Sequence, residues 1–212
     1  MLPCVLVIGI AGPSGAGKST VCRLLSRRPG VEYLDCDELA HASYRPGGPA
    51  YRKLITTFGP HIVDRTGEID RLALGELVFE DPRARADLEA IVHPEVARGI
   101  ERAVAEATAR GTRFFLVEGA LLLSSPYVDR GIFDAVIWLS APEAEREKRL
   151  LSAGLSAAEV KRRLSAQREL KPQGKDVLTI DASGPPEEVA ERIWRLLEGL
   201  EGGRVRRDVR DH

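Results

Sequence analysis

Gly9-Ile-Ala-Gly-Pro-Ser-Gly-Ala-Gly-Lys-Ser-Thr20 decides the fold of this chain. Within it, Gly12 to Ser19 fit G-x-x-x-x-G-K-[ST], a loop whose backbone N–H groups cradle phosphate. The flanks supply the physics. Residues 5–10 form an apolar run that reads as a buried strand, and a helical stretch follows from Lys18 to about Arg28. Gly12, Gly15 and Gly17 lack Cβ, so the backbone can turn tightly and press its N–H groups against an anion. The helix N-terminus adds its dipole. Lys18 is spaced to reach the β- and γ-phosphates, and the Ser19 hydroxyl to ligate Mg²⁺. The expected nucleotide-binding residues are therefore Gly12, Pro13, Ser14, Gly15, Ala16, Gly17, Lys18, Ser19 and Thr20, with ATP and Mg²⁺ as expected cofactors.

Outward from the loop, four more strand candidates (31–35, 113–118, 135–139 and 177–181) alternate with helical patterns. The alternation predicts an α/β fold: a five-stranded parallel sheet covered on both faces, in a single domain over residues 1–200. Residues 72–79 and 82–109 read as helices, the second breaking near His93-Pro94, because Pro disfavours helix at the preceding residue. Residues 142–151 and 156–169 form a strongly charged helical pair, expected to be a lid spanning about 142–176. Residues 186–200 form a closing helix with Val189, Ile193, Leu196, Leu197 and Leu200 on one face. Residues 201–212 read as a basic, flexible, solvated tail.

A chain of 212 residues can bury a sizeable core. Its net charge of −1 gives no bulk electrostatic case for nucleic acid or an anionic membrane. No run approaches the ~18 apolar residues of a membrane span. The chain enters its first strand almost at once, so no signal peptide is expected. Cys4, Cys22 and Cys36 lack metal-like spacing and read as free thiols in a reducing cytoplasm. Asn is absent, and Met1 is the one methionine. Heat adaptation and a GC-rich genome both produce such a bias. Without Asn the guanine-reading N-K-x-D motif is impossible, which argues against a Ras-like switch.

Phosphoryl transfer needs positioning, charge neutralisation and a group that orients the attacking hydroxyl. In an open α/β sheet these gather at the carboxyl ends of the strands. Asp35 and Asp37 follow the second strand candidate, and Glu118 ends the third. Asp37 is expected to orient or deprotonate the hydroxyl; the competing reading is a helix N-cap. Glu118 is expected to hold Mg²⁺ or its water. The charged pair supplies Arg146, Lys148, Arg149, Arg162, Arg163 and Arg168. A closing lid uses such groups to stabilise the transferring phosphoryl, with Lys18 and Arg149 as the catalytic cations. The alternative for each is a solvated face with i,i+4 pairs such as Glu145–Arg149.

The same residues carry a family resemblance. Asp35-Cys-Asp37 resembles the D-x-D of the dephospho-coenzyme A kinases. Phe58-Gly59, Gly67-Glu-Ile-Asp-Arg71, Leu74, Val78-Phe79, Asp81-Pro82, Leu88-Glu-Ala-Ile-Val-His93-Pro94-Glu-Val96, Gly154-Leu-Ser156 and Ala166-Gln167 follow in order, covering most of residues 9–168. The resemblance implies a helical substrate subdomain at about 44–112 and dephospho-coenzyme A as small-molecule substrate. It further implies that Asp37 receives the proton of the ribose 3′-hydroxyl and that Arg71 and His93 lie near the coenzyme A side. The sequence leaves the oligomeric state open, with a monomer favoured. Three positions depart from the family. Its Glu after the third strand is missing from Ala120-Leu-Leu-Leu-Ser124, Ser152 stands where a lid Arg is usual, and Asp181-Ala-Ser183 replaces an Asn. The phosphate loop and Val117-Glu-Gly119 look closer to uridine kinases. A kinase for another nucleoside or nucleotide, and a degenerate fold that only binds nucleotide, are the alternative readings.

Overall fold

The computed structural model describes residues 5–120, 122–123, 125–168, 170–172 and 177–208, the side chains of 204–208 excepted. β1 (Leu6–Ala11), β3 (Phe114–Glu118) and β4 (Ala135–Ser140) are buried at nearly every position, as strands covered on both faces must be. With β2 (Val31–Asp35) and β5 (Val177–Asp181) they form a five-stranded sheet ordered β2-β3-β1-β4-β5. β1 pairs in parallel with both β3 and β4, and β4 with β5. The expected α/β parallel sheet therefore forms, with β1 at its centre.

The chain divides into two compact units: residues 1–34, 104–124 and 130–212, and residues 35–103 with 125–129. The first holds the sheet, α1 (Lys18–Leu25), α6 (Glu143–Ser152), α7 (Ala157–Ala166) and α8 (Pro186–Asp208). Its core joins Ile8, Ile10, Leu116, Ile137 and Leu139 of the sheet to Leu25 of α1 and to Ile193 and Leu197 of α8, all fully buried. Arg113 clamps the outside. It donates to Glu201 through Nε at 2.7 Å and Nη2 at 2.5 Å, and its guanidinium stacks 4.8 Å from the Phe114 ring centroid and 5.3 Å from that of Trp194. This bidentate pair carries α8 past the expected end at Leu200: the helix runs through Glu201 to Asp208.

The second unit is helical: α2 (Cys36–Ser43), α3 (Tyr51–Phe58), α4 (Arg71–Glu80) and the greater part of α5 (Pro82–Arg110). Aspartates start three of these helices. Asp35 accepts from the N–H groups of Asp37 and Glu38, Asp70 from those of Leu72 and Ala73, and Asp81 from that of Arg83. Asp35, not Asp37, thus caps α2. The expected break at His93-Pro94 does not occur; α5 is continuous through Pro94. Pro94 forfeits one backbone hydrogen bond, but Val92, Val96 and Ile100 are buried at i+4 spacing on either side of it. That apolar ladder outweighs the local preference.

Ile137 of β4 is completely buried. Ile137→Ala is expected to lower the unfolding free energy by about 2–5 kcal/mol, read as a reduced urea midpoint at unchanged m-value.

Candidate active site

The phosphate loop leaves the central strand at Gly12, whose φ is 142°. A Cβ there would lie 2.4 Å from the Leu139 carbonyl oxygen, so the position admits only glycine. A Cβ on Gly15 would lie 2.7 Å from the Arg146 carbonyl oxygen. The loop is therefore pressed against the backbones of β4 and α6. Arg146 Nη1 donates to the Ser14 carbonyl at 3.5 Å. Arg149 Nη1 donates to the carbonyls of Gly15 and Ala16 at 3.5 and 3.4 Å, and its Nη2 to Ala182 O at 2.7 Å. The Ser14 N–H donates to Gln167 Oε1 at 2.6 Å. The peptide groups of Ser14 are thus held from both sides by the region of α6 and α7. Those helices share a small apolar cluster of their own, Leu150, Val160 and Leu164, and a Ser156–Glu159 capping box starts α7.

Lys18 is 9% exposed, and its ammonium donates to the Pro13 carbonyl at 3.3 Å, folded over the loop. The Ser19 hydroxyl donates to Glu118 Oε1 at 2.7 Å. Strand register produces that pairing: Ile10, the second-last residue of β1, stands opposite Glu118, the last of β3. Glu118 is 5% exposed and Arg146 7%. Among the described residues Arg146 Nε has no acceptor, and no group of three or more His, Cys, Asp or Glu gathers around one point. A hydroxyl beside a carboxylate nevertheless fits Mg²⁺, which takes one or two protein oxygens and completes its shell with phosphate and water.

The second unit carries a cavity of about 400 Å³ bounded by Asp37, His41, Tyr44, Phe79, Leu88 and His93 among others. Because Asp35 serves as the cap, the Asp37 carboxylate is released from the helix end. His41 lies one turn further along α2. Its Nδ1 is 3.0 Å from Arg71 Nη1, and burial, then the Arg71 charge, holds its pKa below the ordinary histidine value. Burial also lowers His93, whose ring meets Tyr127 edge-on with centroids 6.3 Å apart.

The sequence-predicted residues thus fall into two groups. Lys18, Ser19, Glu118 and Arg149 converge on the loop of the first unit. Asp37 and His93 face one cavity in the second, with Arg71 attached through His41. Sequence reading passed over His41 and the contact of Gln167. The i,i+4 spacing of Asp37 and His41 was a legible sign of a shared helix face. The Ser14–Gln167 bond spans 153 residues, and no local pattern announces it.

A central strand, a glycine loop, a buried lysine and a serine–carboxylate pair define a P-loop kinase. Solved structures agree on the architecture. One from Thermus thermophilus is 31% identical with a TM-score of 0.68, covering 92% of this chain and 97% of that one. A dephospho-CoA kinase from Campylobacter jejuni (21% identity, TM-score 0.60, 93% and 98% covered) shares the fold. The family model described as dephospho-CoA kinase matches residues 6–180. Dephospho-CoA kinases of Anaeromyxobacter dehalogenans and Geobacter sulfurreducens are each 37% identical, over 95% of both chains for the former, and over 90% of this chain and 96% of its relative for the latter. The chain belongs to the dephospho-CoA kinase family.

Gly12→Ala is expected to weaken ATP binding at least about tenfold, since a disfavoured φ alone costs roughly 1–3 kcal/mol and the added methyl meets a backbone oxygen. Equilibrium titration with a non-hydrolysable ATP analogue measures it.

Proposed function

We propose that this chain transfers the γ-phosphoryl group of ATP to the ribose 3′-hydroxyl of dephospho-coenzyme A, giving coenzyme A and ADP. The observation that supports this reading most is the extent of the family match. It runs through residues 35–103, the unit that carries the cavity, as well as through the phosphate loop.

The chemistry follows from charge and position. The loop N–H groups and the N-terminus of α1 receive the polyphosphate, and the Lys18 ammonium neutralises charge on its β- and γ-oxygens. Arg149 and Arg146 hold the outer carbonyls of the loop, and each also pairs with a glutamate of α6, Glu145 and Glu143 respectively. Asp37 accepts the proton of the 3′-hydroxyl or orients it for in-line attack. The lid expected over about 142–176, of which 169 and 173–176 lie outside the described residues, excludes water. Ser19 and Glu118 would hold Mg²⁺, which when bound offsets charge on the phosphate oxygens. Among the described residues no helix is long and apolar enough to cross a membrane. We assign the reaction to a monomer in the cytoplasm, with no nucleic-acid partner, in keeping with the near-zero net charge.

An ADP-release assay with Mg-ATP, comparing dephospho-coenzyme A with nucleosides and nucleoside monophosphates, tests the reading. Turnover confined to dephospho-coenzyme A supports it. Turnover of a nucleoside instead, or tight ATP binding with no turnover of anything, overturns it. Asp37→Asn is expected to lower kcat by about 10²–10⁴-fold with ATP affinity retained. Glu118→Gln is expected to raise the Mg²⁺ concentration for half-maximal rate about tenfold or more, while ATP binding measured without metal changes little.

A further inference from the structure

Arginines in this protein are commonly held by carboxylates: Arg28 by Glu191, Arg110 by Glu32, Arg113 by Glu201, Arg149 by Glu145. Arg71 is held differently. Among the described residues it forms no ion pair, and its Nη1 lies against the His41 ring, 3.0 Å from Nδ1 and 3.4 Å from Nε2. Because Nη1 is nearly equidistant from both ring nitrogens, it lies over the face of the imidazole and not in the plane of either lone pair. A guanidinium stacks on a neutral aromatic face. An imidazolium would set a second cation against the first. The contact therefore favours the neutral ring.

The surroundings favour that state. Burial acts first, and the charges of Arg71 on α4 and of Arg45 just beyond α2 act in the same direction; Asp37 and Asp35 oppose them. Tyr44 packs edge-on against the ring at 5.7 Å between centroids. A carboxylate in place of His41 would fix Arg71 equally well and cancel its charge. A neutral ring face holds the guanidinium and leaves its full charge for a ligand. His41 itself lines the cavity together with Asp37.

We infer that His41 is a positioning residue: as the neutral imidazole it holds Arg71 beside the acceptor cavity as an uncompensated cation for the diphosphate of the acceptor substrate. The identity of that acceptor rests on the function proposed above; the His41–Arg71 pairing does not. Because the pairing needs neutral His41, it persists through neutral pH and fails as pH drops through the titration of His41, below the ordinary histidine value of about 6.5. The Michaelis constant for the acceptor then rises in acid, while that for ATP does not follow it.

The test compares wild type, His41→Ala and His41→Phe across pH 5.5–8.5 at saturating Mg-ATP, with dephospho-coenzyme A as the varied substrate. Phe offers a ring face and does not titrate. His41→Ala is expected to raise the acceptor KM at pH 8 by roughly threefold to tenfold, the size a guanidinium–ring contact supplies. His41→Phe is expected to restore much of that loss and to abolish the rise in acid. An acid rise that survives in His41→Phe, or an unchanged KM in His41→Ala, overturns the inference. If wild type does not turn over dephospho-coenzyme A, the proposed function falls, and imidazole ¹⁵N NMR of the free protein still decides the pairing. A neutral ring whose pKa increases on Arg71→Met upholds it; a ring indifferent to Arg71→Met refutes it.

Discussion

The close passage of the phosphate loop over the Leu139 carbonyl is the constraint on which the rest of the first unit depends. At 2.4 Å from a would-be Cβ, the backbone at Gly12 has no room for any side chain. That proximity requires β1 and β4 to be hydrogen-bonded neighbours, which the parallel register from Ile8–Ala135 to Ala11–Trp138 provides. It requires the loop to turn where β1 ends, so that α1 begins at Lys18 with the positive end of its dipole at the loop. The same central position of β1 brings Glu118, at the end of β3, beside Ser19. Fixing one peptide against another fixes the phosphate cradle, its lysine and its hydroxyl–carboxylate pair together.

The cradle concentrates charge in a place that disfavours charge. Lys18, Glu118 and Arg146 are each at least nine-tenths buried, and desolvating such groups is costly unless polar partners or a ligand compensate. Carbonyls accept from both cations, Arg146 also pairs with Glu143 at 3.7 Å, and a hydroxyl donates to the carboxylate. The site is a prearranged field of charge carried on the apolar core of the first unit. The Arg113 clamp on α8 reinforces that core at the far surface.

The second unit uses carboxylates with the same economy. Asp35 satisfies the first N–H groups of α2, and this leaves Asp37 free for the cavity two residues on. Two aspartates in one short motif thus do different work because one sits at the cap and the other inside the first turn. His41 and Arg71 extend the logic: an arginine bound by an imidazole keeps a charge that a carboxylate would remove.

The sequence by itself determined the strand–loop–helix, the parallel sheet and the family, because each rests on local pattern. Apolar runs make buried strands, the glycine spacing makes the cradle, and Lys18 and Ser19 follow at fixed offsets. It also placed Glu118 at the end of an apolar strand, the position from which it reaches Ser19. Tertiary structure alone decided what depends on neighbours distant in the chain. Pro94 stays helical because Val92, Val96 and Ile100 bury a common stripe, a gain that a rule about dipeptides cannot include. The closing helix outruns its apolar face because Glu201 finds Arg113, 88 residues away. Arg149 braces the loop rather than the solvent because Gly15 admits the backbone of α6. Periodicity records which residues share a face of one element. Only the packed chain sets which faces meet, and with them the partner of Ser14 and the ring that holds Arg71.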